Sequence, residues 1–297
     1  MPALSALSTS DLLPDHVVLD GHRIACGRHG ADDGGDGDPM VLIHGTPSHS
    51  FIWRNVVPAL TAAGFRVHLF DLLGFGASER PRDPAVDTSV DAQDAVLTGL
   101  MRHWGLERAH IVGHDIGGAV ALRFGVFHAE MVRSLTVIDA VSYDSWPSVT
   151  WREIIATGLD ALIRAPDAAH RERFARQLRM VVHDKSVMAG DVLDTYLDAI
   201  SGPLGQPSFF QHQVRHYDSR YTAEINDRLA ALGAARPVQI LWGETDEWQP
   251  VDWAHRLAAD IPGSALHVIP EAGHFAMEDQ PETVAARIAA FAGESRS

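Results

Sequence analysis

The feature that most constrains this chain is Gly113-His114-Asp115-Ile116-Gly117, set between an apolar run (Ile111, Val112) and an Ala-rich segment with helical spacing (Ala119, Leu122, Phe124). The order is strand, tight turn, helix. Glycines bracket the acid because such a turn is too sharp for Cβ atoms, both in its dihedrals and in the packing of helix against strand. The turn lifts one side chain, Asp115, above the carboxyl edge of a sheet. An aspartate there either caps the following helix or acts as a nucleophile. The rest of the sequence favours the nucleophile.

Around this turn, strand and helix patterns alternate. Apolar strands are expected at 40–43, 65–70, 134–138, 238–242 and 266–269, after an opening hairpin at 17–28. Helical spacing is expected at 51–60, 90–104 and 282–291. Between 145 and 232 strands disappear, and helical patterns fill 151–163, 167–182, 191–200 and 209–232. A repeating β-α core interrupted by helices implies an α/β fold, with a mostly parallel sheet, helices on both faces and an inserted helical cap over the carboxyl ends of the strands. The expected division is a first core segment at 1–143, a cap at 144–235 and a second core segment at 236–297.

Composition narrows the partners. Lys+Arg of 24 against Asp+Glu of 39 leaves a formal net charge of −15, which disfavours nucleic acid and anionic membranes. No run of 18 apolar residues predicts a membrane span. Residues 1–15 lack the basic and apolar regions of a signal peptide, and the single Cys26 allows no internal disulfide. A cytoplasmic location is therefore expected. The Gly/Asp-rich run at 31–38 lacks the closing Glu of a calcium loop and is expected to be solvated. No metal and no cofactor is implied, the expected partner is a small-molecule substrate, and the sequence leaves the oligomeric state open.

Four motifs stand in order along the chain: His44-Gly45-Thr46-Pro47, Gly74-Phe75-Gly76-Ala77-Ser78, the Asp115 turn, and Gly273-His274-Phe275. Together they resemble the α/β-hydrolase superfamily over nearly the whole chain. The turn then corresponds to the nucleophile elbow, G-x-S-x-G, with Asp in place of Ser. That replacement resembles the Asp-nucleophile branch containing dehalogenases and epoxide hydrolases. The resemblance implies Asp115 as nucleophile, His274 as base, and an oxyanion hole from the amides of Thr46 and Ile116. Asp246 is the first choice for the acid that orients His274, and Asp139, which also ends a strand, is the second.

A carboxylate is already ionised and can displace a leaving group at saturated carbon, forming an alkyl ester that His274-activated water then hydrolyses. An epoxide leaves as an alkoxide and needs a proton, for which Tyr217 and Tyr143 are candidates. A halide needs only N–H donors, for which Trp146 and Trp151 are candidates. The expectation leans slightly to epoxide opening over dehalogenation. Ester or C–C bond hydrolysis, and a non-catalytic binding protein on the same fold, remain further alternatives.

Overall fold

The computed structural model describes residues 7–30 and 37–295, so most of the run expected to be a solvated loop, 31–36, lies outside the described residues. The strands are β1 (Asp15–Leu19), β2 (His22–His29), β3 (Pro39–Ile43), β4 (Arg66–Phe70), β5 (Ala109–His114), β6 (Val132–Ile138), β7 (Val238–Gly243) and β8 (Ala265–Ile269). They form one sheet in the order β1-β2-β4-β3-β5-β6-β7-β8. β1, β2 and β4 pair antiparallel, and from β4 to β8 every pair is parallel.

The principal helices are α1 (Ala92–His103), α2 (Ile116–Phe127), α3 (Val149–Thr157), α4 (Asp167–Met180), α5 (Gly190–Ile200), α6 (Asp252–Asp260) and α7 (Pro281–Glu294). Helices cover both faces, which is why the inner strands read as continuous apolar runs rather than alternating ones. Alternation survives in where each side chain goes. Leu42 and Val112 enter one core layer, whereas Val41 and Ile111 enter the other. Helix α2 is buried from Ile116 to Gly125, beneath the sheet's centre.

Chain order turns back at β3, which lies between β4 and β5. Such a switch point opens a crevice at the carboxyl ends of the strands. The neighbouring strands β3, β5, β6, β7 and β8 end just before Thr46, Asp115, Asp139, Asp246 and His274 in turn. All five side chains are buried.

Between β6 and β7 no strand forms and the regular elements are all helical, but two expected helices are broken. The segment 151–163 forms α3 and a short helix at Asp160–Ile163, separated by Gly158 at φ 101°. The segment expected as one helix over 209–232 is a chain of short pieces, including a π turn at Phe209–Gln213 and a 3₁₀ turn at Val214–His216. Pro207, just upstream, has no N–H for the helical ladder. Among the described residues, no helix is long and apolar enough to cross a membrane.

Candidate active site

Asp115 follows β5 and precedes α2, and its backbone sits at φ 54°, ψ −120°. This is a strained conformation for a residue with a Cβ. The flanking glycines are enforced by contact: a Cβ on Gly113 would lie 2.1 Å from the carbonyl oxygen of Gly117, and one on Gly117 would lie 2.3 Å from that of His44. The side chain of Asp115 makes no capping bond to α2, so the N-cap alternative fails on geometry.

Instead the carboxylate meets the loop after β3. Thr46 donates its backbone N–H to Asp115 Oδ1 at 2.7 Å. Gly45 has to be glycine here, since a Cβ would stand 2.4 Å from that of Asp115. His44 holds the loop in shape. Its Nδ1 donates to the Gly45 carbonyl at 2.8 Å, and its Nε2 accepts the Leu72 N–H at 3.0 Å. Burial lowers the pKa of His44, which keeps the ring neutral and able to do both. Ile116 opens α2, so its N–H has no acceptor in the preceding turn.

His274 stands between two carboxylates. Its Nδ1 lies 2.7 Å from Asp246 Oδ2, and its Nε2 lies 3.3 Å from Asp115 Oδ2 without forming an aligned hydrogen bond. The loop carrying it is tied to the elbow by His114, whose Nε2 donates to the His274 carbonyl at 2.9 Å. Burial and the neighbouring His274 push the His114 pKa down to about 3, so that ring is a neutral donor. Burial favours a neutral His274 too, but the charges of Asp246 and Asp115 outweigh it and raise its pKa well above the usual value. Burial likewise opposes the charge on Asp115, and the His274 ring outweighs it, leaving the pKa below the usual carboxylate range.

The two candidate acids occupy different positions. Asp246 touches His274 and also accepts the N–H groups of Trp248 and Gln249 at 2.7 and 2.8 Å. Asp139 accepts the Gly243 N–H at 2.7 Å and does not bond to the ring. Burial, and then the negative charge of Asp246, raise the Asp139 pKa well above the ordinary value. A raised pKa at Asp139 is what burial beside a second carboxylate produces.

Beside Asp115 lies a cavity of about 360 Å³, lined among others by Thr46, Trp146, Trp151 and Tyr217. Tyr217 OH is 2.6 Å from Thr46 Oγ1. Because Thr46 Oγ1 donates to Gln213 Oε1 at 3.1 Å, Tyr217 is the donor in its contact with Thr46. Burial pushes the Tyr217 phenol up, so it keeps its proton. Trp146 and Trp151 pack edge-on against its ring, with centroids 5.2 and 6.4 Å away. The indole N–H of Trp146 is buried without an acceptor among the described residues.

Tyr143 requires a correction. It donates to Asp260 at 2.7 Å and stacks on Trp253, with the Arg256 guanidinium over its ring. Its φ of 52° turns the chain so that the ring meets α6 rather than the cavity. Gln213 and Trp248 were missed by sequence reasoning. Gln213 carried no motif signal. Trp248 had one, its place two residues beyond Asp246, and its ring lies 5.4 Å from that of His274. Among the described residues, no group of three His, Cys, Asp or Glu gathers as a metal site.

A sheet that delivers Asp115, Asp246 and His274 in that order, after β5, β7 and β8, is matched by a family model. The model, described as alpha/beta hydrolase fold, covers residues 38–281. The chain belongs to the α/β hydrolases. A solved α/β hydrolase fold protein from Burkholderia ambifaria superposes with a TM-score of 0.82 at 31% identity, covering 96% of this chain and 98% of that one. Among curated relatives, a 2-hydroxy-6-oxononadienedioate/2-hydroxy-6-oxononatrienedioate hydrolase of Burkholderia vietnamiensis is 28% identical over 90% of each chain. One of the same description from Pseudomonas putida is 30% identical, over 86% of this chain and 87% of its own. These relatives support the superfamily, and neither is named as an epoxide hydrolase or a dehalogenase.

Proposed function

We propose that this hydrolase opens a small electrophile at saturated carbon through a covalent ester on Asp115, with an epoxide as the preferred substrate and a diol as product. The observation that carries the reading is the Asp115 carboxylate itself, ionised at neutral pH, facing the cavity with one oxygen on the Thr46 amide. A serine needs a base before it attacks, whereas a carboxylate does not.

The residues present allow a balanced cycle. In the resting state Asp115 is ionised, His274 protonated and Tyr217 neutral. A carboxylate oxygen bonds to an epoxide carbon, the ring C–O bond breaks, and the departing alkoxide takes the Tyr217 proton. Esterification removes one of the two charges that hold the His274 proton. His274 then releases it, by way of solvent, to the Tyr217 phenolate. The neutral ring next takes a proton from water, whose oxygen attacks the ester carbonyl carbon. The amides of Thr46 and Ile116 hold the tetrahedral oxyanion. Collapse frees the diol and restores carboxylate and imidazolium.

A halide would leave from the same Asp115 attack without needing a proton, and the buried, acceptor-free N–H of Trp146 supports that variant. C–C bond hydrolysis is the second reading, supported by the names of the Burkholderia and Pseudomonas relatives. A single screen separates them: terminal epoxides, bromo- and chloroalkanes, and a conjugated 2-hydroxy-6-oxo-dienoate, read by diol, halide and loss of the dienoate absorbance. Diol release from epoxides is expected. Turnover of the dienoate alone overturns the proposal.

A further inference from the structure

The cavity contains a charge that the chemistry above does not use. Arg173, on the cap helix α4, is the one cationic side chain among the described residues lining it. Its neighbours on that helix are neutralised: Arg171 pairs with Asp198 at 2.7 Å, and Arg176 with Glu172 at 2.5 Å. Arg173 forms no ion pair among the described residues. Its guanidinium lies 5.7 Å from the ring centroid of Trp151, the same indole that packs against Tyr217. The acid nearest in kind, Glu247, lines the cavity too but turns to Lys185 at 3.4 Å. Gln177, one helical turn after Arg173, faces the same space.

An unpaired guanidinium braced on an indole, with an amide one turn away, is a planar donor set suited to a carboxylate. It also opposes the field of a chain whose net charge is −15, which otherwise repels anions. We propose that Arg173, assisted by Gln177, is an anion subsite, and that the natural substrate is an electrophile carrying a carboxylate at the end remote from the reacting carbon. This rests on the Asp115 reading, since it orients the electrophilic end towards the strand ends and the charge towards the cap.

The test uses ligands that do not react, so its failure is separate from any failure of the chemistry. Hexanoate and hexanamide are titrated against the full chain by calorimetry, at low and high salt. Hexanoate is expected to bind at least tenfold more tightly than hexanamide, with the advantage shrinking in high salt. Arg173→Gln is expected to abolish the preference without changing hexanamide binding. Arg173→Lys keeps the charge but not the fork and is expected to retain part of the preference, whereas Arg179→Gln, an exposed change on the same helix, leaves it intact. Equal binding of the two ligands, or a hexanoate preference that survives Arg173→Gln, overturns the subsite. If hexanoate preference follows Arg173 but no adduct forms on Asp115 with any electrophile, the subsite stands and the ester mechanism falls.

Discussion

His274 Nδ1 lies 2.7 Å from Oδ2 of Asp246, and this contact fixes which way the imidazole can work. With Nδ1–H donated to a carboxylate, Nε2 is the nitrogen that faces Asp115. Asp139, one strand away, has no such contact, and burial beside the Asp246 charge raises its pKa.

Asp246→Asn is therefore expected to cost on the order of 10³–10⁴-fold in kcat, because an amide at that place favours the wrong imidazole tautomer. Asp139→Asn, which keeps an acceptor for Gly243, is expected to cost less than about tenfold on the same scale. Steady-state kinetics of the two variants check the ranking. The reverse order moves the orienting acid to Asp139.

Asp139 also makes a prediction about stability. Its folded pKa is raised, so the folded state binds an extra proton and this group's contribution falls as pH climbs from the unfolded carboxylate value towards the folded one. Asp139→Asn is expected to raise the Tm at neutral pH, with the gain vanishing below about pH 4, where an unfolded aspartate is protonated as well. His274 has the same sign: its raised folded pKa stabilises below its unfolded value and loses that effect as pH rises through the folded one. Asp115 is opposite, its lowered pKa contributing above the unfolded value and failing as the solution is acidified. Thermal melts across pH separate Asp139 from the other two by the variant alone. An Asp139→Asn protein with a lower Tm at pH 7 contradicts this assignment.

Much of the site was legible in the sequence because backbone contact enforces it. Gly45, Gly113 and Gly117 are glycines since any Cβ would collide with Asp115, Gly117 or His44, and such constraints write motifs. The order of Asp115, Asp246 and His274 followed from strand ends. The cap was not legible in the same way. Periodicity over 209–232 suggested one helix, yet the chain there breaks into short turns that bring Gln213 and Tyr217 down onto Thr46. Tyr143 and Tyr217 look alike in sequence, and only the packing sends one to Asp260 and the other to the cavity. Arg173 is one of four arginines in α4, distinguished from Arg171 and Arg176 by what those two pair with in space.

Tyr217→Phe removes the hydroxyl that donates towards Thr46 beside Asp115. If that proton meets the epoxide oxygen, kcat/KM for epoxides is expected to fall by about 2–4 kcal/mol of transition-state stabilisation, with bromoalkane turnover nearly unchanged. Equal losses for both substrates mean the hydroxyl shapes the Thr46 loop rather than the leaving group.

His274→Gln leaves the Asp115 carboxylate in place and removes the base for the second step. With a reactive epoxide this variant is expected to accumulate a covalent adduct on the peptide containing Asp115, seen by mass spectrometry after digestion. Free protein with product formed at the wild-type rate contradicts the assignment of His274.

The most direct test follows the oxygen atoms. With enzyme in excess over epoxide in ¹⁸O-water, the first turnover is expected to give a diol whose new oxygen is unlabelled, since it comes from the Asp115 carboxylate. The solvent label then enters the Asp115 side chain when water attacks the ester carbonyl carbon, and reaches product only in later turnovers. A diol carrying ¹⁸O from the first turnover means that water attacked the substrate directly and that Asp115 is not the nucleophile.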